Sequence, residues 1–151
     1  MQTQTSFHTE ARKTVLDALA AAPSRALAEL WDRWADKPQH SKVRGPEVGL
    51  VMVRGRAGGG GASFNLGEAS VSRASIRLAS GEVGHGYCLG RDLAKVEVIA
   101  LIDALWQQQP ERVEAEIIAP LQILAVEAEQ KLRDETAATK VDFFTMVRGD
   151  N

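Results

Sequence analysis

The sequence predicts an α+β protein with an N-terminal helical hairpin, an antiparallel sheet of three to four strands, packed C-terminal helices and an extended, strand-like C-terminal tail. Three observations predict it. Apolar residues recur at helical spacing in residues 6–36 and again in 92–136, whereas in 47–90 they alternate with a period of two. Glycine-rich turns punctuate the alternating part, as antiparallel hairpins require. Strands and helices come in blocks rather than in alternation, which excludes a parallel sheet built from βαβ units.

The elements follow in order. In residues 6–22, Ala11, Val15, Leu16 and Leu19 share a helical face, and Pro23 closes the run. Ser24 is placed to cap a second helix carrying Leu27, Leu30, Trp31 and Trp34. Residues 36–46 contain Pro38, Gly45 and Pro46 with little apolar content, so they read as a linker or exposed loop. Residues 47–56 and 69–79 alternate as strands, with residues 57–68 as a flexible connector between them. Residues 79–84 have the length and glycines of a hairpin turn, and 83–90 form a third strand. Asp92 caps a helix whose face of Ala94, Val98, Leu101, Ile102 and Leu105 is widened by Ile99 and Trp106, the pattern of a helix laid across a sheet; Pro110 ends it. Residues 111–135 align Leu121, Leu124, Ala125, Ala128 and Leu132 on one face, with Pro120 kinking the helix or starting a new one.

The totals bound the function. A chain of 151 residues supports one domain, residues 1–151, with a real core. With 44% hydrophobic and 25% charged residues, it is not a disordered chain. A net charge of −2 argues against non-specific nucleic-acid binding. Cys88 is the single cysteine, so neither an intrachain disulfide nor a thiolate zinc cage is expected. The first residues lack a secretory pattern and no run reaches a membrane span, so a soluble, cytoplasmic protein is expected.

Several residues could carry chemistry. Gly58, Gly59, Gly60 and Gly61, flanked by Arg54 and Arg56, could cradle a phosphate through backbone N–H groups, or simply form a mobile hairpin connection. Arg73 and Arg77 point to one face of their strand, opposite Ala74, Ile76 and Leu78, where they could grip a phosphate, a phosphonate or an acidic partner. Together with Arg54, Arg56 and Arg91 they could converge on one side of the sheet. His85 and Cys88, three apart in a strand, face opposite sides, so no metal site is expected. Asp103 interrupts an apolar helix and is expected to pair with an arginine from the sheet. No acid/base pair or nucleophile triad is legible.

The tail is apolar on both sides. In an extended chain Val141, Phe143 and Val147 face one way, and Phe144 and Met146 the other. Such a strand either joins this protein's own fold or reaches out to clasp another subunit, and an exchange of tails within a homodimer is expected for the isolated chain.

The stretches RAGGGG, RASIRLASGEVGHGYCLGRD, ALIDALWQQ and AATKVDFFTMVRGDN resemble the PhnG family, subunits of the bacterial carbon-phosphorus lyase core complex. The resemblance covers about residues 49–109 and 137–151 and is most specific in the closing stretch. It implies a subunit that works with PhnH, PhnI and PhnL in alpha-D-ribose 1-methylphosphonate 5-triphosphate synthase, which displaces adenine from ATP by methylphosphonate. PhnJ performs the later carbon-phosphorus cleavage. It further implies a subunit inactive alone, with ATP as the complex's co-substrate and no cofactor or metal held by this chain. Arg56, Gly58, Gly59, Gly60, Gly61, Arg73, Arg77, Arg91 and Asp92 match family motif positions and are carried over as candidates for substrate or interface contact. Val141, Phe143, Phe144, Met146 and Arg148 are candidates for a partner-binding tail, on the reading of the closing stretch given above. The resemblance carries over no catalytic residue. His85 stands where the family pattern has an aromatic residue.

Overall fold

The computed structural model describes residues 2–138, with side chains from Thr9 onward. The chain runs α1 (Gln2–Ala21), α2 (Ser24–Arg33), β1 (His40–Arg56), β2 (Ser63–Leu78), β3 (Val83–Leu89), α3 (Leu93–Gln108), α4 (Pro110–Val113), a π-helical turn (Glu114–Ile118) and α5 (Ala119–Ala138). The three strands form one antiparallel sheet in the order β1-β2-β3. This is the predicted α+β class.

The core lies between one face of this sheet and the helices. Ala74, Ile76 and Leu78 of β2 and Cys88 of β3 meet α3, in which residues 99–106 are all buried. Val15 and Leu19 of α1, Leu27 and Trp34 around α2, and Val113, Ile117, Ile118 and Leu121 close the far side. The broad apolar stripe of α3 thus has a cause: it is covered on one side by strands and on the other by helices. α3 comes close because β3 presents Gly84 and Gly86 to it. A Cβ at either position would overlap the backbone carbonyl of Ala100 or Val96.

Residues 36–46, expected as a loop, are strand from His40 onward. His40 pairs with Leu78 and Lys42 with Ile76, so backbone pairing overrides a composition that reads as coil. The prolines are tolerated because Pro38 precedes the strand and Pro46 sits in a register shift between Arg44 and Glu47 on the edge strand, where its missing N–H breaks no ladder bond. The connector is also shorter than expected, since β2 already begins at Ser63. Gly58 and Gly59 take φ of 56° and 77°, and Gly61 N–H donates to the Ala57 carbonyl at 2.9 Å, so the glycines form a tight turn.

Pro120 marks the start of a new helix, as the second residue of α5. The preceding π turn bonds Ala119 N–H to the Glu114 carbonyl, and this widening absorbs the residue that cannot donate. Ser24 does not cap α2, whose N-cap is Pro23; its side chain bonds Asp92 instead. The stripe on α5 packs only as far as Leu121. Beyond it, Leu124 is 43% and Leu132 63% exposed. No helix among the described residues is long and apolar enough to cross a membrane.

Candidate functional site

Two surfaces stand out: the uncovered face of the sheet and the far end of the β1–β2 hairpin. Because side chains alternate along a strand, the residues that leave the core face must gather on the other. Arg73, Ser75 and Arg77 of β2 and His85, Tyr87 and Leu89 of β3 do so. Ser75 and His85 are direct cross-strand partners, with Ser75 Oγ 2.9 Å from His85 Nδ1. The backbone N–H of His85 donates to Asp103 Oδ2 at 2.7 Å, which fixes the strand beneath the imidazole. Tyr87 lies opposite Arg73, and Arg77 stands exposed one repeat beyond Ser75.

Arg73 is already engaged. Its Nε donates to Glu47 Oε1 at 2.6 Å, and Arg44 reaches the same oxygen at 2.6 Å. The Arg73 hydrogen bond and the Arg44 guanidinium hold the Glu47 carboxyl below the usual carboxylate range. Of the two strand arginines, Arg77 is the one turned to solvent.

The five arginines do not converge. Arg56 is the register partner of Ser63, which at 3.3 Å per residue lies about 46 Å along β2 from Arg77. Arg91 follows Gly90, whose N–H bonds the Ser70 carbonyl, so it sits level with Ser70, roughly 23 Å from Arg77. Gly58, Gly59, Gly60 and Gly61 belong to the tip with Arg54 and Arg56, where Arg54 Nη2 donates to Ser63 Oγ at 3.3 Å. Asp92 is the N-cap of α3, its Oδ1 accepting from Lys95 N–H at 2.9 Å. That bond and one from the Ser24 hydroxyl draw its carboxyl below the ordinary range.

Asp92→Ala should therefore cost about 1 kcal/mol of stability in urea unfolding at neutral pH, with Asp92→Asn closer to the parent. A carboxyl depressed in the folded state stabilises above its unfolded value of about 3.9 and loses that contribution as pH falls through the folded value. The parent should lose this increment on acidification, whereas the Asn variant should not.

The hairpin end projects past α3, which packs on the other half of the sheet. Leu50, Met52, Phe64 and Leu66 are exposed there, Leu50 by 63% and Leu66 by 67%. Together with the exposed part of α5, this is a large apolar surface for one domain.

Asp103 is wholly buried and pairs with an arginine from α1 rather than from the sheet: Arg12 Nε and Nη2 meet its two oxygens at 2.8 and 2.7 Å. α1 reaches α3 before any arginine of β2 does, because those point to the opposite face. His85 and Cys88 lie on opposite faces, with Cys88 in the core, where burial pushes its thiol up. The tail residues Val141, Phe143, Phe144, Met146 and Arg148 lie outside the described residues.

Sequence reasoning missed the Ser75–His85 pair and the role of Glu47. The first was within reach, since a hairpin turning around Ser80 must set 75 against 85. The second was not, because the irregular register of β1 decides which residue faces Arg73.

Comparison with known proteins gives two findings. The model of the family described as Phosphonate metabolism protein PhnG matches residues 10–149. A protein of Rhizobium meliloti (strain 1021), named Alpha-D-ribose 1-methylphosphonate 5-triphosphate synthase subunit PhnG, is 50% identical over 141 residues, covering 93% of this chain and 90% of the relative.

Proposed function

The chain belongs to the PhnG family of phosphonate metabolism proteins, and from that premise we propose that it is an accessory subunit of alpha-D-ribose 1-methylphosphonate 5-triphosphate synthase. In this reading it works in the cytoplasm beside PhnI, PhnH and PhnL, with PhnJ acting later. The complex exchanges the adenine of ATP for methylphosphonate at the ribose anomeric carbon. PhnI supplies the reacting groups, and this chain shapes or anchors the assembly without holding a cofactor of its own.

The observation that carries the accessory reading is the projecting hairpin end. Leu50, Met52, Phe64 and Leu66 lie on strands that extend beyond the domain's own core, an arrangement suited to burial against another protein. The chemistry of the site agrees with it. Asp103 is held by Arg12, Asp92 by a helix cap and Glu47 by two arginines, so these carboxylates serve structure. Displacement at an anomeric carbon calls for an anion-positioning group, and Arg77 beside the Ser75–His85 pair is the best placed to contribute one. The spread of the arginines along β2 favours a second reading, a pure scaffold that never touches substrate.

Reconstitution with PhnI, PhnH and PhnL tests both. Leu50→Asp combined with Met52→Asp is expected to abolish co-elution with the partners on a sizing column, and its survival would remove the anchoring role. Arg77→Ala is expected to preserve assembly and lower methylphosphonate-dependent adenine release by about tenfold, the equivalent of one charge-assisted contact. Unchanged release from an intact complex would establish the scaffold.

A further inference from the structure

We propose, resting on the reading in which Arg77 positions an anion, that the outer face of the sheet is an anion site guarded by its own carboxylate: Glu47 holds Arg44 and Arg73 until a phosphate or phosphonate group takes its place beside Arg77. Ser75 is the centre of the arrangement. Its register partners are Arg44 on β1 and His85 on β3, and Arg73 and Arg77 are its outward neighbours on β2. Adjacent strands lie about 4.8 Å apart and successive outward residues about 6.6 Å, so the Cα atoms of the three arginines fall within about 7 Å of that of Ser75. In the three cross-strand rows around Ser75, Glu47 is the single carboxylate against three guanidiniums.

Glu47 behaves as an internal stand-in for the ligand. Its Oε1 accepts from Arg73 Nε at 2.6 Å and from Arg44 Nε at 2.7 Å, with Arg44 Nη2 at 2.6 Å. Two guanidiniums share one carboxylate, so a positive charge is left over before Arg77 is counted, and Arg77 meets no carboxylate among the described residues. Arg44, Arg73 and Glu47 are all about half-exposed, and exposed ion pairs are weak. A dianion that offers the arginines twice the charge and several oxygens therefore displaces Glu47 readily. The Ser75–His85 pair adds a donor whichever ring nitrogen carries the proton. If the hydroxyl donates to Nδ1, Nε2–H remains for the ligand; if Nδ1–H donates to Oγ, the hydroxyl remains. Convergence on one centre selects a compact, doubly charged group over an acidic peptide, whose charges are spread along its backbone.

Amide NMR spectra of the full chain, titrated at matched ionic strength with methylphosphonate in one arm and inorganic triphosphate in the other, test the site. Saturable shifts are expected at residues 73–77 and 84–87 and not on α5. A response to methylphosphonate assigns a free phosphonate to the site, and a response to triphosphate alone assigns the phosphate chain of a nucleotide. Glu47→Gln should bind about threefold more tightly, because the arginines are no longer held. Glu68→Gln removes the same charge from the opposite face, where Glu68 pairs with Met52, and should bind as the parent does. Arg77→Ala should bind about tenfold less tightly. The spectra themselves report that each variant is folded. No saturable shift in either arm, equal tightening by Glu68→Gln, or unchanged affinity in Glu47→Gln or Arg77→Ala would overturn the proposal. Binding is read on this chain alone, so its failure strikes the guarded site, whereas unchanged adenine release from the Arg77→Ala complex strikes the positioning role.

Discussion

Gly84→Val is expected to destabilise the domain by more than about 3 kcal/mol and to leave much of it unfolded at physiological temperature. Local propensity predicts the opposite sign, because valine is favoured over glycine in a strand by up to about 1 kcal/mol. The packing decides. A Cβ at Gly84 would overlap the Ala100 carbonyl and lie 2.5 Å from the backbone nitrogen of Ala104. Backbone cannot rotate aside as a long side chain can, so α3 must lift from β3 and open the contact that buries Ile99, Ile102 and Trp106. Gly67→Val in β2 is the control, since nothing lies within 4 Å of a Cβ there. It should be neutral or mildly stabilising in the same urea titration. Equal effects at the two positions would mean that α3 tolerates displacement.

Arg12→Leu is expected to cost about 3 kcal/mol, because it strands the wholly buried Asp103 carboxylate with only the His85 N–H as a described partner. Desolvating a carboxylate costs several kcal/mol unless a counter-charge and good hydrogen bonds offset it, and the two-pronged Arg12 contact supplies both. Removing both charges together, as Arg12→Leu with Asp103→Leu, should recover most of the loss by replacing ions with apolar volume. The urea midpoints of parent, single and double variants give the coupling directly. A single variant as stable as the parent would show that water reaches Asp103. The pair also ties α1, α3 and the start of β3 together, so Arg12→Leu should loosen the strand that carries His85.

The class, the order of elements and the core face were legible because each rests on a local period. Alternation in β2 put Ala74, Ile76 and Leu78 inward and Arg73 and Arg77 outward, as observed. The breadth of the α3 stripe announced a helix laid across the sheet; that other helices cover its far side came from the structure. Residues 36–46 were not legible as strand because their pairing with β2 is non-local, and proline and glycine composition pointed the other way. Nor did the stripe on α5 reveal that packing stops at Leu121, since periodicity marks a face without saying what covers it.

The candidate site divides the same way. Which residues share the outer face of β2 and β3 follows from alternation and from a short hairpin of fixed register, so the meeting of Ser75 with His85 is written in the chain. Which strand arginine is neutralised and how far the hairpin projects depend on β1, whose register shifts twice between Lys42 and Glu47, and which arginine reaches Asp103 depends on how α1 packs on α3. By itself the sequence determined the α+β class, the inward and outward faces and the family. The tertiary structure alone decided the Arg12–Asp103 bond, the close approach at Gly84 and the dispersal of the arginines. Local periods fix where a side chain points, but contacts between distant segments depend on register and packing, which no short window of sequence contains.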